Sequence, residues 1–90
     1  MLFDWDPQKA RANLLKHGVS FGEAAECFED ALAIVLADRT HPERENLIGT
    51  SERRRLVFTV FIEHAGDVIR IISARKATPA ERRRYEEGDL

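Results

Sequence analysis

One cysteine, three prolines, five glycines, one tryptophan and one tyrosine in 90 residues leave several protein classes without their raw materials. A lone cysteine excludes an internal disulfide framework and points to a reducing interior. Cys27, flanked by Glu26 and Phe28, reads as a small helix residue. The three histidines, His17, His41 and His64, are too widely spaced for a compact ligand set, so neither a metal site nor a cofactor is expected. No apolar run approaches the roughly 20 residues that cross a membrane. The start, MLFDWDPQ, carries acids and no apolar signal region, so a soluble, cytoplasmic protein is expected. Repeats, linkers and low-complexity tracts are missing too, which leaves a single domain over residues 1–90. A chain of this length builds one core and no deep chamber, so a site has to be a surface groove.

What the chain has in abundance is charge, unevenly placed. The net charge is −2, yet residues 1–45 hold five Lys or Arg against nine acids. From Arg53 to Arg84 the balance reverses to nine basic residues against three acids. A solvated surface explains part of such a run, but a basic second half also suits a polyanion.

Alternation and capping signals give the order of elements. Phe3 and Trp5 alternate with Asp4 and Asp6 as a short first strand. Asp6 and Pro7 then open a helix to about His17, which Gly18 ends in the left-handed conformation. Ser20 with Glu23 predicts a capping box for a second short helix carrying Phe21, Ala24, Ala25 and Phe28 on its apolar face. Strands are predicted at Ala33 to Ala37, Leu47 to Gly49, Arg55 to Ile62 and Val68 to Arg75. The third of these is apolar on both faces at Val57, Phe58, Val60 and Phe61 and belongs at the sheet centre. A tight connection through His64 to Asp67 makes the last two an antiparallel hairpin. Thr78, Pro79 and Glu81 start a final helix, with Thr78 as cap and Glu81 reaching back to it. The fold class is α+β, an antiparallel sheet with two N-terminal helices and one C-terminal helix, βααββββα or close to it. Arg75 and Lys76 fall where the last strand gives way to the positive end of that helix, a place for anions.

Three stretches, FDWDPQKARANLLKHGVSFGEAAECFED, DRTHPERENLIGTSERRRL and IRIISARKATPAERRRYE, resemble the BrnT family of toxins from bacterial type II toxin–antitoxin pairs. The similarity spans nearly the whole chain, and the combination of WD, KHGVSF and ISARKAT is its most specific part. The resemblance implies a RelE-like fold and a metal-independent endoribonuclease that stops translation, acting on RNA either free or on the ribosome. It also implies neutralisation by a BrnA-type antitoxin, through which alone the pair would bind operator DNA. RelE-like toxins rely on basic residues and a C-terminal tyrosine, and the positions that resemble that set are Arg55, Arg75 and Tyr85.

Metal-free RNA cleavage needs a base for the 2′-hydroxyl, an acid for the leaving 5′ oxygen and cationic donors for the phosphorane. Arginine matches phosphate oxygens best. A regular hairpin puts Arg55 and Arg75 at the same end of the sheet, where two forks could clamp one phosphate. His41, in a polar loop with Glu43 and Arg44, is the most obvious base. Lys76, Arg54 and Arg82 are candidates for binding RNA by attraction. His17, at a helix C-terminus, is explained by the dipole, and Ser73 has no triad around it. Tyr85 serves equally well as an apolar anchor, and Trp5 reads as core. A noncatalytic module that binds the antitoxin and co-represses its own operon is the alternative. A direct DNA-binding repressor is disfavoured, because the first two helices offer no basic recognition face. The acidic first half is poorly suited to RNA and better suited to a basic, salt-sensitive antitoxin contact.

Overall fold

Local signals fix nearly every boundary in the computed structural model, which describes residues 1–88; the last two residues of the expected domain lie outside them. The order is β1 (Leu2–Asp4), α1 (Pro7–His17), α2 (Phe21–Glu26) running into a 3₁₀ turn at Cys27–Glu29, β2 (Ile34–Ala37), β3 (Glu45–Thr50), β4 (Leu56–His64), β5 (Val68–Lys76) and α3 (Pro79–Glu87). Asp6 caps α1 by accepting from the Gln8 and Lys9 amides. Gly18 ends it at φ 71°, a conformation that costs a residue with a Cβ. At α3 the Thr78 and Glu81 side chains each accept the other's backbone N–H, so this capping box is complete. The box expected at α2 is only half there. Ser20 Oγ accepts from Glu23 N at 3.0 Å, but the Glu23 carboxylate turns away to Ser51 and Arg55.

The five strands form one sheet in the order β1-β5-β4-β3-β2, with β4 at its centre as its two apolar faces require. The sheet is mixed rather than wholly antiparallel. β1 pairs parallel with β5 through Leu2↔Val68, Phe3↔Ile69 and Asp4↔Arg70, because the chain leaves this edge directly into α1, which crosses back over β5. β3 also runs longer than Leu47 to Gly49, since pairing with β4 accommodates the polar Glu45, Asn46 and Thr50.

One face of the sheet carries the main core. Val57 and Phe61 of β4 and Ile69, Ile71 and Ala74 of β5 pack against Val19, Phe21, Ala24 and Cys27 from the helical side. Trp5 meets Phe21 edge-on at 6.0 Å between centroids, and Phe28 meets Phe61 at 5.0 Å. The opposite face has a smaller cluster of Ile34, Ile48 and Leu56 with Leu36, Phe58, Ala77 and Tyr85. The nine residues of α3 are too few to cover that face, and a groove stays open beside the helix.

A bulge in β5 decides which residue reaches which face. Phe61 pairs with Ile71 but Val60 pairs with Ser73, so Ile72 is an extra residue. Strict alternation from Ile69 and Ile71 would send Arg75 to the helical side. After the bulge Ala74 faces the main core instead, and Arg75, opposite Phe58, faces the groove.

Candidate active site

The groove lies between α3 and the β2–β3 connection, with a volume of about 590 Å³. Leu36 and Phe58 form its apolar floor, and Asp38, Arg39, Glu81 and Arg84 stand around it. Arg75 lies over Phe58, its guanidinium carbon 4.2 Å from the ring centroid. Both outer nitrogens of Arg75 donate to Glu81, at 2.8 Å to Oε1 and 3.0 Å to Oε2. Burial opposes ionisation of Glu81, but hydrogen bonds from Arg75 and from the Thr78 amide outweigh it and hold the carboxyl below its usual range. Arg75 is thus presented as a flat two-pronged donor on an aromatic plate, with its charge facing a carboxylate.

Just beyond the strand end, Arg54, Arg55, Lys76 and Arg82 line a second, shallower pocket of about 280 Å³ with Leu56 and Ala77. No acid lines it. Three of these residues were expected to attract RNA, and the structure does bring them together. Neighbours divide between the two openings: Arg75 meets Glu81 and Phe58 at the wall of the groove, while Lys76 and Arg82 line the pocket. Arg54 adopts φ 64° in the turn before β4, unusual for a residue with a side chain.

Arg55 and Arg75 do not form the expected clamp. Arg55 is committed to the helical side, where its Nε donates to Glu23 Oε2 at 2.8 Å, its Nη2 donates to Glu23 Oε1, and Nη2 also reaches Gly18 O at 2.9 Å. Glu23 is 4% exposed and also accepts from Ser51 Oγ at 2.8 Å. The hydrogen bond from Arg55 is the main reason its carboxyl stays below the usual range in spite of burial. The strand expected from Arg55 begins at Leu56, leaving Arg55 in the preceding turn where the buried Glu23 holds it, and the bulge explains why Arg75 looks the other way.

Tyr85 shares the groove face, but its hydroxyl is occupied. It donates to Asp30 Oδ2 at 2.6 Å and accepts from Thr50 Oγ1 at 3.2 Å. Burial, and then the bond to Asp30, push its pKa up, so the phenol stays neutral and ties α3 to the sheet. His41 lies exposed on the β2–β3 connection, its Nδ1 2.9 Å from Thr40 Oγ1 and 3.9 Å from Asp38 Oδ1. Asp38 Oδ1 accepts from the Thr40 and His41 amides and so shapes the loop, whose Asp38 and Arg39 line the groove while His41 does not. Cys27 is fully buried, and burial, aided by nearby acids, pushes its thiol up to about 12, which makes it inert. Among the described residues no three His, Cys, Asp or Glu side chains gather as metal ligands.

Sequence reasoning missed Asn13 altogether, and it read Glu23 as a cap and Phe58 as core, missing their contacts with Arg55 and Arg75. Asn13 is buried in α1; its amide donates to Val19 O at 2.9 Å and Ala74 O at 2.8 Å, and accepts from Ala74 N at 3.2 Å. β1 reaches only as far as Arg70, so Asn13 supplies the edge bonds that a longer first strand would have made. The signal was an asparagine in the stripe of Ala10 and His17, where an apolar residue belongs.

A family model described as a ribonuclease toxin, BrnT, of type II toxin–antitoxin systems matches residues 5–81. Among solved structures, the ribonuclease toxin BrnT of Brucella abortus is similar, with a TM-score of 0.70 and 22% identity over 87% of this chain and 99% of that one. At that identity the likeness speaks for the fold. Comparison with curated proteins finds no match.

Proposed function

Since this chain belongs to the BrnT family of ribonuclease toxins from type II toxin–antitoxin systems, we propose that it cleaves RNA in the groove beside α3. One observation carries that placement: Arg75 holds a two-oxygen anion, the Glu81 carboxylate, in the geometry it would offer a phosphate. In this reading the RNA 2′-oxygen attacks the adjacent phosphorus, the bond to the 5′ oxygen breaks, and charge on the phosphorane falls to Arg75. His41 on the β2–β3 loop is the proton-transfer group: it takes the 2′-hydroxyl proton as that oxygen attacks and delivers it to the departing 5′ oxygen. Arg39 and Arg84 guide the backbone through the groove. Lys76, Arg54 and Arg82 hold a neighbouring phosphate, on RNA that is free or ribosome-bound. Arg55 and Tyr85 serve instead to hold the site's supports, α2 and α3.

No metal is needed in this scheme, since each required charge and proton has a side chain to carry it. The antitoxin is of BrnA type, acts with the toxin in the cytoplasm and brings the pair to operator DNA. The acidic surface of Glu26, Glu29 and Glu52 is its complementary face, with a basic segment docking there.

Brief induction of the wild-type chain and of Arg75→Ala, followed by assay of RNA integrity and translation, tests the reading. Losing a transition-state donor costs roughly a hundredfold to a thousandfold in rate. RNA cleavage by the wild type but not by a folded Arg75→Ala supports the site. Equal cleavage by both removes the site from this groove, and no cleavage by either favours the noncatalytic antitoxin-binding module.

A further inference from the structure

The anion that Arg75 holds is part of the protein. Arg39 and Arg84, the cations lining the groove, have no carboxylate partner among the described residues, whereas Arg75, beside it on Phe58, is bound fork to fork by Glu81. The Glu81 carboxylate is fixed there by more than charge. Its Oε1 also accepts the Thr78 N–H at 2.9 Å, so the capping box of α3 aims it at Arg75. The pair is only partly exposed, 37% for the Arg75 side chain and 20% for that of Glu81.

From this geometry we infer that Glu81 is a built-in competitor for Arg75: its carboxylate occupies the place of the substrate phosphate, and RNA enters by displacing it. The inference rests on the groove being the RNA site and deepens that reading. A phosphate bound to Arg75 alone merely exchanges one anion for another and gains little. A polynucleotide whose flanking phosphates also engage Arg39, Arg84 and the pocket of Lys76 and Arg82 gains enough to displace the carboxylate. Glu81 therefore weakens every phosphate on Arg75 by the same factor, and mononucleotides and inorganic phosphate, which lack the flanking contacts, are left too weak to occupy the site. A role as general base is disfavoured, because both of its oxygens already accept hydrogen bonds from cationic or amide donors.

Glu81→Gln tests this cleanly, because glutamine at the same position still completes a capping box while losing the charge. The probes are a tetranucleotide RNA carrying 2′-O-methyl groups, which cannot be cleaved, and inorganic phosphate as its competitor. A partly exposed ion pair is worth up to about 1 kcal/mol, so its removal should tighten binding of both probes by about fivefold. That gain should vanish in the Arg75→Ala background. Glu81→Asp, which keeps the charge on a shorter arm, serves as the second variant and should fall between wild type and Glu81→Gln. Unchanged or weaker binding by a folded Glu81→Gln, with Arg75→Ala still weakening it, overturns the displacement role and leaves the groove in place. Cleavage lost at unchanged affinity would make Glu81 the base instead. If Arg75→Ala binds the tetranucleotide as wild type does, the groove itself is refuted and the displacement role with it.

Discussion

Replacing Arg55 by alanine separates its two possible roles, phosphate clamp and structural partner of Glu23. The substitution leaves a carboxylate 3% exposed at its side chain with only Ser51 Oγ and the more distant Arg53, 3.6 Å away and largely exposed, to answer it. The orphaned group can escape the burial penalty by taking a proton. For a carboxyl of ordinary pKa that costs roughly 3.7 kcal/mol at pH 7, which caps the charge penalty. Partial relief by Ser51 and Arg53 lowers the expected loss to about 2–3 kcal/mol, below the roughly 3–5 kcal/mol for breaking a fully buried ion pair. In a domain of this size that corresponds to a fall in Tm of roughly 10–20 °C.

The pH dependence has a definite sign. In the wild type the Glu23 pKa is lowered on folding, so its stabilisation is full above the unfolded carboxyl value and is lost as pH falls through the folded one. In Arg55→Ala, burial without a partner raises the folded pKa, so that variant gains stability as pH falls from 7 towards 5. The gap between the two proteins should therefore narrow over that window, read as thermal melts at pH 7, 6 and 5. The Glu23→Ala/Arg55→Ala double variant should be no less stable than Arg55→Ala alone, because the unpaired charge is gone. A Tm for Arg55→Ala within 2 °C of wild type, or a gap that ignores pH, would refute the structural assignment and return Arg55 to the substrate.

Asn13→Ala should cost about 2–4 kcal/mol, since it orphans the buried N–H and C=O of Ala74 and the carbonyl of Val19, measured by urea denaturation with an unchanged m-value. Tyr85→Phe removes a hydroxyl held by Asp30 and Thr50, so stability should fall by about 1 kcal/mol while RNA cleavage stays within a few-fold of wild type. A hundredfold loss of cleavage in that folded variant would show that the phenol takes part in the reaction.

The elements were legible because their signals are local. Asp6 with Pro7, Gly18, and Thr78 with Pro79 and Glu81 each satisfy helix-end groups within a few residues, and each stands where its type implies. The direction of β1 was not legible, since three alternating residues say nothing of which neighbour they meet or in what sense. Ser20 and Glu23 mark a different limit. The spacing is that of a capping box, but Arg55, distant in sequence, takes the Glu23 carboxylate, and no local rule sees that competitor. In the candidate site, the basic character of Arg54, Lys76 and Arg82 could be read from charge alone, and the structure gathers them. The pairing of Arg75 with Glu81 was hidden for the opposite reason. Glu81 had already been given a purpose as a capping residue, and one carboxylate serves both.

The extra residue at Ile72 turns the distance between core and chemistry into a matter of odd and even. Pairing β5 with β4 residue for residue from Ile71, without the bulge, would turn Arg75 inward beneath the helices and put Ala74 over Phe58, whereas deleting Ile72 itself would leave Arg75 opposite Phe58. A register slip of one residue would thus disable the groove more thoroughly than most substitutions in it, although no functional side chain would have been altered. Anyone transplanting this groove onto another sheet has to carry the parity of β5 along with its arginine.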